Sequence, residues 1–369
     1  MNLDDLETPT PVVDLDRIER NLDRMAAYAA KHRLALRPHI KTHKTPWLAT
    51  EQLRRGAVGV TCATPREAEV MSEVTDDVLL AYPTVGAKAR RVASLPASVR
   101  LTVSLDSARA ADDLADAARE TGRRAAVLVE CDMGMRRVGV QTPEEAVALA
   151  RHVAGKRGLE YAGIAFYPGH IREPVDRQDA ALRTVSERLE EVLDALRQAG
   201  LAPSVVSGGS TPTARRTHEI PGVTEMRPGT YIYNDRTTAA IGACAIEDCA
   251  LTVLATVVST AVPGQAVIDA GSKSLGREPM RGTEGEGFGT VLEHSEVVVR
   301  GMSEEHGLLD LSNAQWRPAV GDRVRVIPNH ACIVVHLFDL MHGVRGASVE
   351  TTWPIAARGR AASVAAQLV

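Results

Sequence analysis

Leu34-Ala-Leu-Arg-Pro-His-Ile-Lys-Thr-His-Lys44 is the stretch whose reading decides the fold. It opens as a short apolar run suited to a buried strand and closes in cations, with two histidines, two lysines and one arginine within residues 37–44. Pro38 argues against a helix there, because its ring locks φ and removes a backbone donor. Charge directly after a buried strand belongs at the strand's carboxyl end, where α/β folds open a ligand crevice.

Outward from that stretch, strand-like runs alternate with helix-like ones. Strands are expected at Leu34–Pro38, Val58–Ala63, Val78–Tyr82, Leu101–Leu105, Ala125–Glu130, Tyr161–Tyr167, Ser204–Ser207 and Val223–Met226. A helix is expected from Asp16 to Lys31, with Leu22, Met25 and Ala29 at helical spacing, and others at Pro65–Ser72, Ala108–Thr121, Pro143–Ala154 and Asp179–Ala199. Eight strands, each followed by a helix or turn, predict an α/β fold built as a (β/α)8 TIM-like barrel. An open doubly wound sheet uses the same units, but no Gly-x-Gly-x-x-Gly follows the first strand.

Beyond Ile241 the texture changes. Ala250–Val262, Gln265–Asp269, Gly289–Glu293, Glu296–Val299 and Arg323–Ile327 are β-rich pieces separated by Gly, Pro and Asp, the pattern of a C-terminal, mainly β domain. Near the amino end, Thr8-Pro-Thr-Pro-Val-Val-Asp-Leu15 reads as extended. The expected division is a barrel over 16–240 and a β-rich domain from 1–15 plus 241–369, ending in an alanine-rich stretch at Ala356–Ala366.

Composition narrows the function. A chain of 369 residues is long for one core. With 44% hydrophobic and 24% charged residues it is of ordinary globular type, and a net charge of -4 gives no reason to expect nucleic acid or a membrane surface. No run approaches the roughly 18 apolar residues of a membrane span. The acidic start Met1–Glu7 lacks the apolar centre of a signal peptide. Cys62, Cys131, Cys244, Cys249 and Cys332 are odd in number and scattered, which reads as free thiols in a reducing cytoplasm.

In a barrel, reacting groups gather at the carboxyl ends of the strands. Those ends supply His39 and Lys41, Cys131-Asp-Met-Gly-Met-Arg-Arg-Val-Gly139, Phe166-Tyr-Pro-Gly-His170, Ser207-Gly-Gly-Ser-Thr-Pro-Thr213 and Arg227-Pro-Gly-Thr-Tyr-Ile-Tyr-Asn234. Ser207, Gly208, Gly209 and Ser210, with Gly229 and Thr230 from the next strand, read as a phosphate cradle of backbone N–H groups and hydroxyls. Phosphate together with a lysine on the first strand points to pyridoxal phosphate, whose aldehyde needs an amine. Lys41 is the candidate, as the last inward-pointing position of a strand that reaches it. Lys44 is expected in the loop, as a salt-bridging partner.

Pro38-His-Ile-Lys-Thr-His-Lys44, Ser207-Gly-Gly-Ser-Thr-Pro-Thr213, Arg227-Pro-Gly229 and Pro328-Asn-His-Ala-Cys332 together resemble the D-threonine aldolase and D-serine dehydratase family. These are fold type III pyridoxal phosphate enzymes that share a barrel with alanine racemase. The resemblance runs from Thr8-Pro-Thr-Pro-Val-Val-Asp14 to Thr352-Trp-Pro354. It implies that Lys41 carries the cofactor, that Arg137 and Tyr167 lie near it, and that Ser210, Gly229 and Thr230 hold its phosphate. It also implies a small-molecule D-amino acid substrate and a homodimer.

His330 and Cys332 are two apart, so on a strand both point the same way. Imidazole and thiolate together suit a borderline-soft divalent ion, although by residue type alone the pair reads more readily as core packing. In the family, the matching pair binds a divalent metal beside the cofactor. Members with aspartate in place of the cysteine are associated with manganese, and Cys332 leans towards zinc. Asp269–Leu275 and Ser303–Gly307 resemble stretches that face the barrel mouth from the β domain or from a dimer partner. His306 is thereby a candidate acid or base, with His43 and His170 as further bases, and Lys273 a candidate contact to substrate or phosphate. For each, ordinary polarity is the competing reading.

A metal beside pyridoxal phosphate makes sense for a substrate with a β-hydroxyl. Cleaving Cα–Cβ gives glycine and an aldehyde, as in an aldolase. Losing the hydroxyl gives a keto acid and ammonia, as in a dehydratase. Asp339-Leu and Thr352-Trp-Pro lean towards a D-threonine aldolase, Cys332 towards a D-serine or 3-hydroxy-D-aspartate dehydratase. Ile333-Val-Val-His336 departs from the Pro/Thr-rich run expected after the metal pair. A racemase usually takes a tyrosine base from the second domain, whereas the last tyrosine here is Tyr233. A non-catalytic carrier of the cofactor would lack the β domain.

Overall fold

The eight apolar runs form eight short parallel strands, Ala35–Leu36, Val60–Cys62, Asp77–Leu80, Arg100–Leu105, Ala125–Glu130, Leu159–Ala165, Val205–Gly208 and Glu225–Met226, in a computed structural model that describes residues 1–281 and 286–360. From the second onward each pairs with the next in the chain, and the last pairs with the first. The remaining seam, between the first and second strands, is joined by Val58 N–H to the Leu36 carbonyl and Thr61 N–H to the Pro38 carbonyl, both 2.9 Å. The sheet thus closes into the expected (β/α)8 barrel. Val60–Cys62 and Asp77–Leu80 are buried at every position, as parallel strands covered on both faces must be.

The helices begin where local chemistry demands. Thr142 caps Pro143–Ala154 in a box with Glu145, and Thr64 caps Pro65–Met71; both helices take proline at a first-turn position that has no donor to lose. Ala108–Glu120 starts at Ser107. Leu182, Val185, Leu189, Val192 and Leu196 form the buried stripe of Asp179–Gln198.

By its contacts the chain separates into two units. One comprises Met25–Ile171, Arg177–Gly229 and the tail from Ala357; the other comprises Met1–Arg24, Arg172–Asp176 and Thr230–Ala356. Residues 230–240, which the sequence division places in the barrel, cluster with the second unit through bonds such as Thr237 Oγ1 to the Asn329 carbonyl, 2.7 Å.

The second unit is mainly β, in line with expectation. Its sheet runs Val299–Met302, Gly307–Asp310, Gln265–Ile268, Leu251–Ser259, Thr10–Asp14, Leu340–Arg345 and Ser348–Pro354, and Arg323–Pro328 pairs both Leu251–Ser259 and Gly289–Val291. The strand expected at Glu296–Val299 begins at Val299 instead. Three strands, Gly307–Asp310, Leu340–Arg345 and Ser348–Pro354, had no expectation. The part of the alanine-rich end at 361–366 lies outside the described residues. Among the described residues no helix is long and apolar enough to cross a membrane, and none of the five cysteines is in a disulfide.

Candidate active site

Lys41 lies not on a strand but in the middle of a one-turn 3-10 helix, Ile40–Thr42. The strand ends at Leu36, and Pro38 and His39 carry the chain from it to the turn. His39 N–H to the Pro228 carbonyl (2.9 Å) pins the turn beside the end of the eighth strand. Lys41 Nζ stands 5.4 Å from the centroid of the Tyr167 ring, and the Arg137 guanidinium carbon 5.0 Å from the same centroid. Two cations far apart in sequence thus approach one aromatic ring.

More positive charge surrounds them. Arg227 is buried, with Nη2 donating to the Phe166 carbonyl at 2.9 Å, and its Nε–H meets no acceptor among the described residues. His39 is half-buried, with a buried Nδ1 that likewise meets no partner among the described residues. Burial, then the cations Lys41, Arg227 and Lys44, push its pKa well below the ordinary value, so it is neutral. A mouth that collects Lys41, Arg137 and Arg227, and leaves buried N–H capacity open, fits an anionic aromatic cofactor.

The two glycine turns leave neighbouring strands, with Gly208 paired to Met226 and Arg227 N–H bonded to the Gly208 carbonyl at 3.0 Å. Among the described residues no acceptor takes the amide N–H groups of Gly209, Ser210 or Gly229. Gly209 holds φ +94°, a left-handed conformation that glycine adopts at little cost. A Cβ on Gly229 would stand 2.8 Å from the His39 carbonyl oxygen. Ser210 Oγ sits 3.0 Å from Thr213 Oγ1. These amides and this hydroxyl fit a phosphate. Two other members of the predicted cradle act differently. Ser207 Oγ donates to Glu225 Oε1 at 2.6 Å inside the barrel, and Gly208 leaves room for the Phe166 ring, whose Cζ would lie 2.2 Å from an added Cβ.

Glu225 belongs to a buried ionic layer. Arg37 Nε donates to Glu225 and Nη1 to Asp77, each at 2.7 Å, and Arg100 also reaches Asp77. The arginine of the opening stretch is thus spent within the barrel. Lys44 pairs with the fully buried Glu67, as expected.

The expected base His43 is corrected by its surroundings. It is fully buried, accepts Thr45 N–H at Nδ1 (3.2 Å), and donates from Nε2 to Gln52 Oε1 (3.2 Å). Burial lowers its pKa to about 4. Both ring nitrogens hold the loop together, and neither is open to a substrate proton. His170 packs against Gly134, where a Cβ would meet its Nε2 at 2.9 Å.

In the second unit His330 and Cys332 come together, but not by sharing a strand. Arg323–Pro328 ends before them; His330 caps the helix Ala331–Leu337 and Cys332 lies in its first turn. Burial opposes charge on His330, yet the Cys332 thiol, Asp235 and Glu278 outweigh it and raise its pKa to about 9. His330 Nδ1 lies 2.6 Å from Glu278 Oε2. A carboxylate can only accept here, so Nδ1 carries a proton, and Nε2, whose proton a divalent ion would displace, is the nitrogen left for a metal. Imidazole plus thiol is a donor set for a divalent ion. Thr230 Oγ1 lies 3.9 Å from Cys332 Sγ, in the same unit. His306 is exposed in the turn between Val299–Met302 and Gly307–Asp310, and Lys273 is exposed and paired with Glu305 at 2.8 Å. Glu278 and Asp235 escaped the sequence reading: they lie 52 and 96 residues from their partners, with no local motif.

Residues 13–237 match the family described as alanine racemase, N-terminal domain, and residues 250–344 match the putative serine dehydratase domain. A D-threo-3-hydroxyaspartate dehydratase of Delftia sp. (strain HT23) is 34% identical, over 94% of this chain and 97% of its own length. The chain belongs to the D-threonine aldolase and D-serine dehydratase family. Its relatives in that family include a D-threonine aldolase of Arthrobacter sp., 31% identical over 96% of this chain and 93% of the relative. The crystal structure of D-threonine aldolase from Filomicrobium marinum superposes with a TM-score of 0.88 at 33% identity, covering 97% of each chain. In solved D-threo-3-hydroxyaspartate dehydratase structures, a histidine and a cysteine two residues apart have each been replaced by alanine, and the cysteine variant is in a metal-free form. Family membership makes this protein a pyridoxal phosphate-dependent lyase with the alanine racemase-like fold.

Proposed function

We propose that this lyase acts on D-3-hydroxy amino acids with pyridoxal phosphate and a divalent metal, and that it is a D-threonine aldolase, releasing glycine and an aldehyde. The observation that carries the reading is the His330–Cys332 pair, drawn together at a helix start with Glu278 on the far nitrogen of the imidazole. Full-length relatives named for D-threonine, 3-hydroxyaspartate and D-serine share a substrate class, a D-amino acid with a β-hydroxyl. The cofactor supplies an electron sink at Cα, and the ion lowers the pKa of a hydroxyl oxygen bound to it.

In this reading Lys41 supplies the amine for the cofactor aldehyde, and Arg137 and Tyr167 fix the surroundings of that amine. The amides of Gly209, Ser210 and Gly229 hold the phosphate, with Thr230 next along the chain. His330 and Cys332 hold the ion, with zinc suiting the thiolate. His306 serves as the acid or base. The enzyme is a cytoplasmic homodimer, and five cysteines outside any disulfide suit a reducing compartment.

A second reading, dehydration to a keto acid and ammonia, is favoured by Cys332, because a dehydratase relative also carries a histidine and a cysteine two residues apart, and the solved structure of its cysteine-to-alanine variant is in a metal-free form. Product analysis separates the two. The protein is given pyridoxal phosphate and zinc or manganese, then D-threonine or D-serine. Glycine with acetaldehyde supports the aldolase. Keto acid with ammonia replaces it by the dehydratase. Neither product, from either substrate with either metal, overturns the substrate class.

A further inference from the structure

The surroundings of His330 are built more tightly than a pair of ligands on a loop requires. Asn329, almost fully buried, donates from Nδ2 to the Glu278 carbonyl at 3.0 Å and the Gly287 carbonyl at 2.9 Å, and accepts from Arg236 Nη1 at 3.1 Å. Thr237 Oγ1 donates to the Asn329 carbonyl at 2.7 Å, and Asp235 Oδ2 accepts the Ala331 N–H at 3.1 Å. The backbone on both sides of His330 is therefore fixed by side chains, which leaves the ring itself to be oriented. That falls to Glu278, whose carboxylate meets His330 Nδ1 at 2.6 Å and is itself held by Arg281. The single bond from Asn329 to the Glu278 main chain ties the two ends of the arrangement together.

We propose that Glu278 is the positioning residue of the metal pair: it locks His330 as the Nδ1–H tautomer, so that Nε2 is presented on the side of Cys332, and Arg281 keeps Glu278 in place. The inference rests on the reading of His330 and Cys332 as metal ligands. The chemistry behind it is general, since a carboxylate on the far nitrogen of a ligating imidazole fixes its rotation and raises its basicity. Glu278 and His330 are 52 residues apart, so only the fold brings them together.

The test is metal affinity, read without any assay of turnover. The holoprotein with pyridoxal phosphate is stripped of metal and titrated with zinc against a chromophoric chelator, in the native form and in Glu278→Ala, Glu278→Gln, His330→Ala and Cys332→Ala variants. Glu278→Ala is expected to weaken zinc binding by roughly tenfold to a hundredfold, the range for loss of such an orienting carboxylate. Glu278→Gln keeps an acceptor for Nδ1–H and is expected to recover most of that loss. His330→Ala and Cys332→Ala are expected to lose the site. The yellow cofactor absorbance, retained in every variant, reports that each one folds. Native affinity in Glu278→Ala while His330→Ala loses zinc overturns the positioning role. Loss of the site in Glu278→Gln as complete as in His330→Ala also overturns it, making Glu278 a ligand. Native affinity in His330→Ala and Cys332→Ala overturns instead the metal reading beneath it.

Discussion

Lys41 Nζ stands 5.4 Å from the centroid of the Tyr167 ring, on a turn that Pro38 forces out of the strand. Arg137 meets the same ring. Cation–π attraction of this kind is worth roughly 0.5–2 kcal/mol. Tyr167→Leu is therefore expected to weaken retention of pyridoxal phosphate by about twofold to thirtyfold, and Tyr167→Phe to leave it nearly unchanged. Titration of the visible absorbance checks this, and equal binding by both variants would remove the ring from the site.

Gly229 backs directly onto the Lys41 turn. A methyl group there would lie 2.8 Å from the His39 carbonyl oxygen and 2.9 Å from Thr42 Oγ1, so one of the two segments must give way. Gly229→Ala is expected to cost about 1–3 kcal/mol, as overpacking does, and to loosen the cofactor. Gly155→Ala, with its nearest neighbour at 3.5 Å, is the control. Thermal melts of the two variants with and without cofactor decide it; a Gly229→Ala protein as stable as the control contradicts the packing.

The buried pair around Arg37 gives a stability prediction with no bearing on chemistry. Arg37, Asp77 and Glu225 side chains are 10%, 5% and 6% exposed. Removing Arg37 leaves the buried Glu225 without its cation and Asp77 with only the exposed Arg100. Arg37→Ala is expected to cost about 3–5 kcal/mol, the usual penalty for breaking a buried ion pair. Urea unfolding measures it. A loss below 1 kcal/mol, roughly the value of an exposed pair, would mean that water reaches the layer.

His43 sets part of the acid limit. Burial holds its folded pKa at about 4, below the ordinary value near 6.5. Below pH 6.5 the unfolded chain takes up a proton that the folded chain refuses, so stability falls as pH drops from about 6.5 to about 4. The full shift corresponds to about 3 kcal/mol, with His39 acting in the same direction. His43→Gln is expected to be less stable at pH 7 and to show a shallower decline between pH 6.5 and 4. Parallel declines in the two proteins would show that His43 titrates normally.

The barrel was legible because its strands are buried on both faces, and such strands read as plain apolar runs, Ala125–Glu130 and Asp77–Leu80 among them. Ser348–Pro354 was not. Its inner face, Val349, Thr351 and Trp353, carries a threonine and only one fully buried residue, so the alternation is weak in sequence, and its place comes from pairing with Leu340–Arg345. The stretch after Pro328 shows the same limit: the spacing of His330 and Cys332 suggested one face of a strand, whereas the Asp235 carboxylate on Ala331 N–H supports a helix start there.

The sequence by itself determined the order of barrel units, the mainly β second unit and the family, because these follow from local hydrophobic pattern and from motifs a few residues long. It also brought Lys41, Arg137 and Tyr167 under suspicion together. Only the tertiary structure decided what each polar group does. Arg37 and Ser207 serve the barrel interior, His43 holds a loop, and Glu278 reaches His330 across 52 residues. The physical reason is that a polar side chain's role depends on which partner satisfies it once buried, and those partners are brought within hydrogen-bonding reach by folding, not by a motif along the chain.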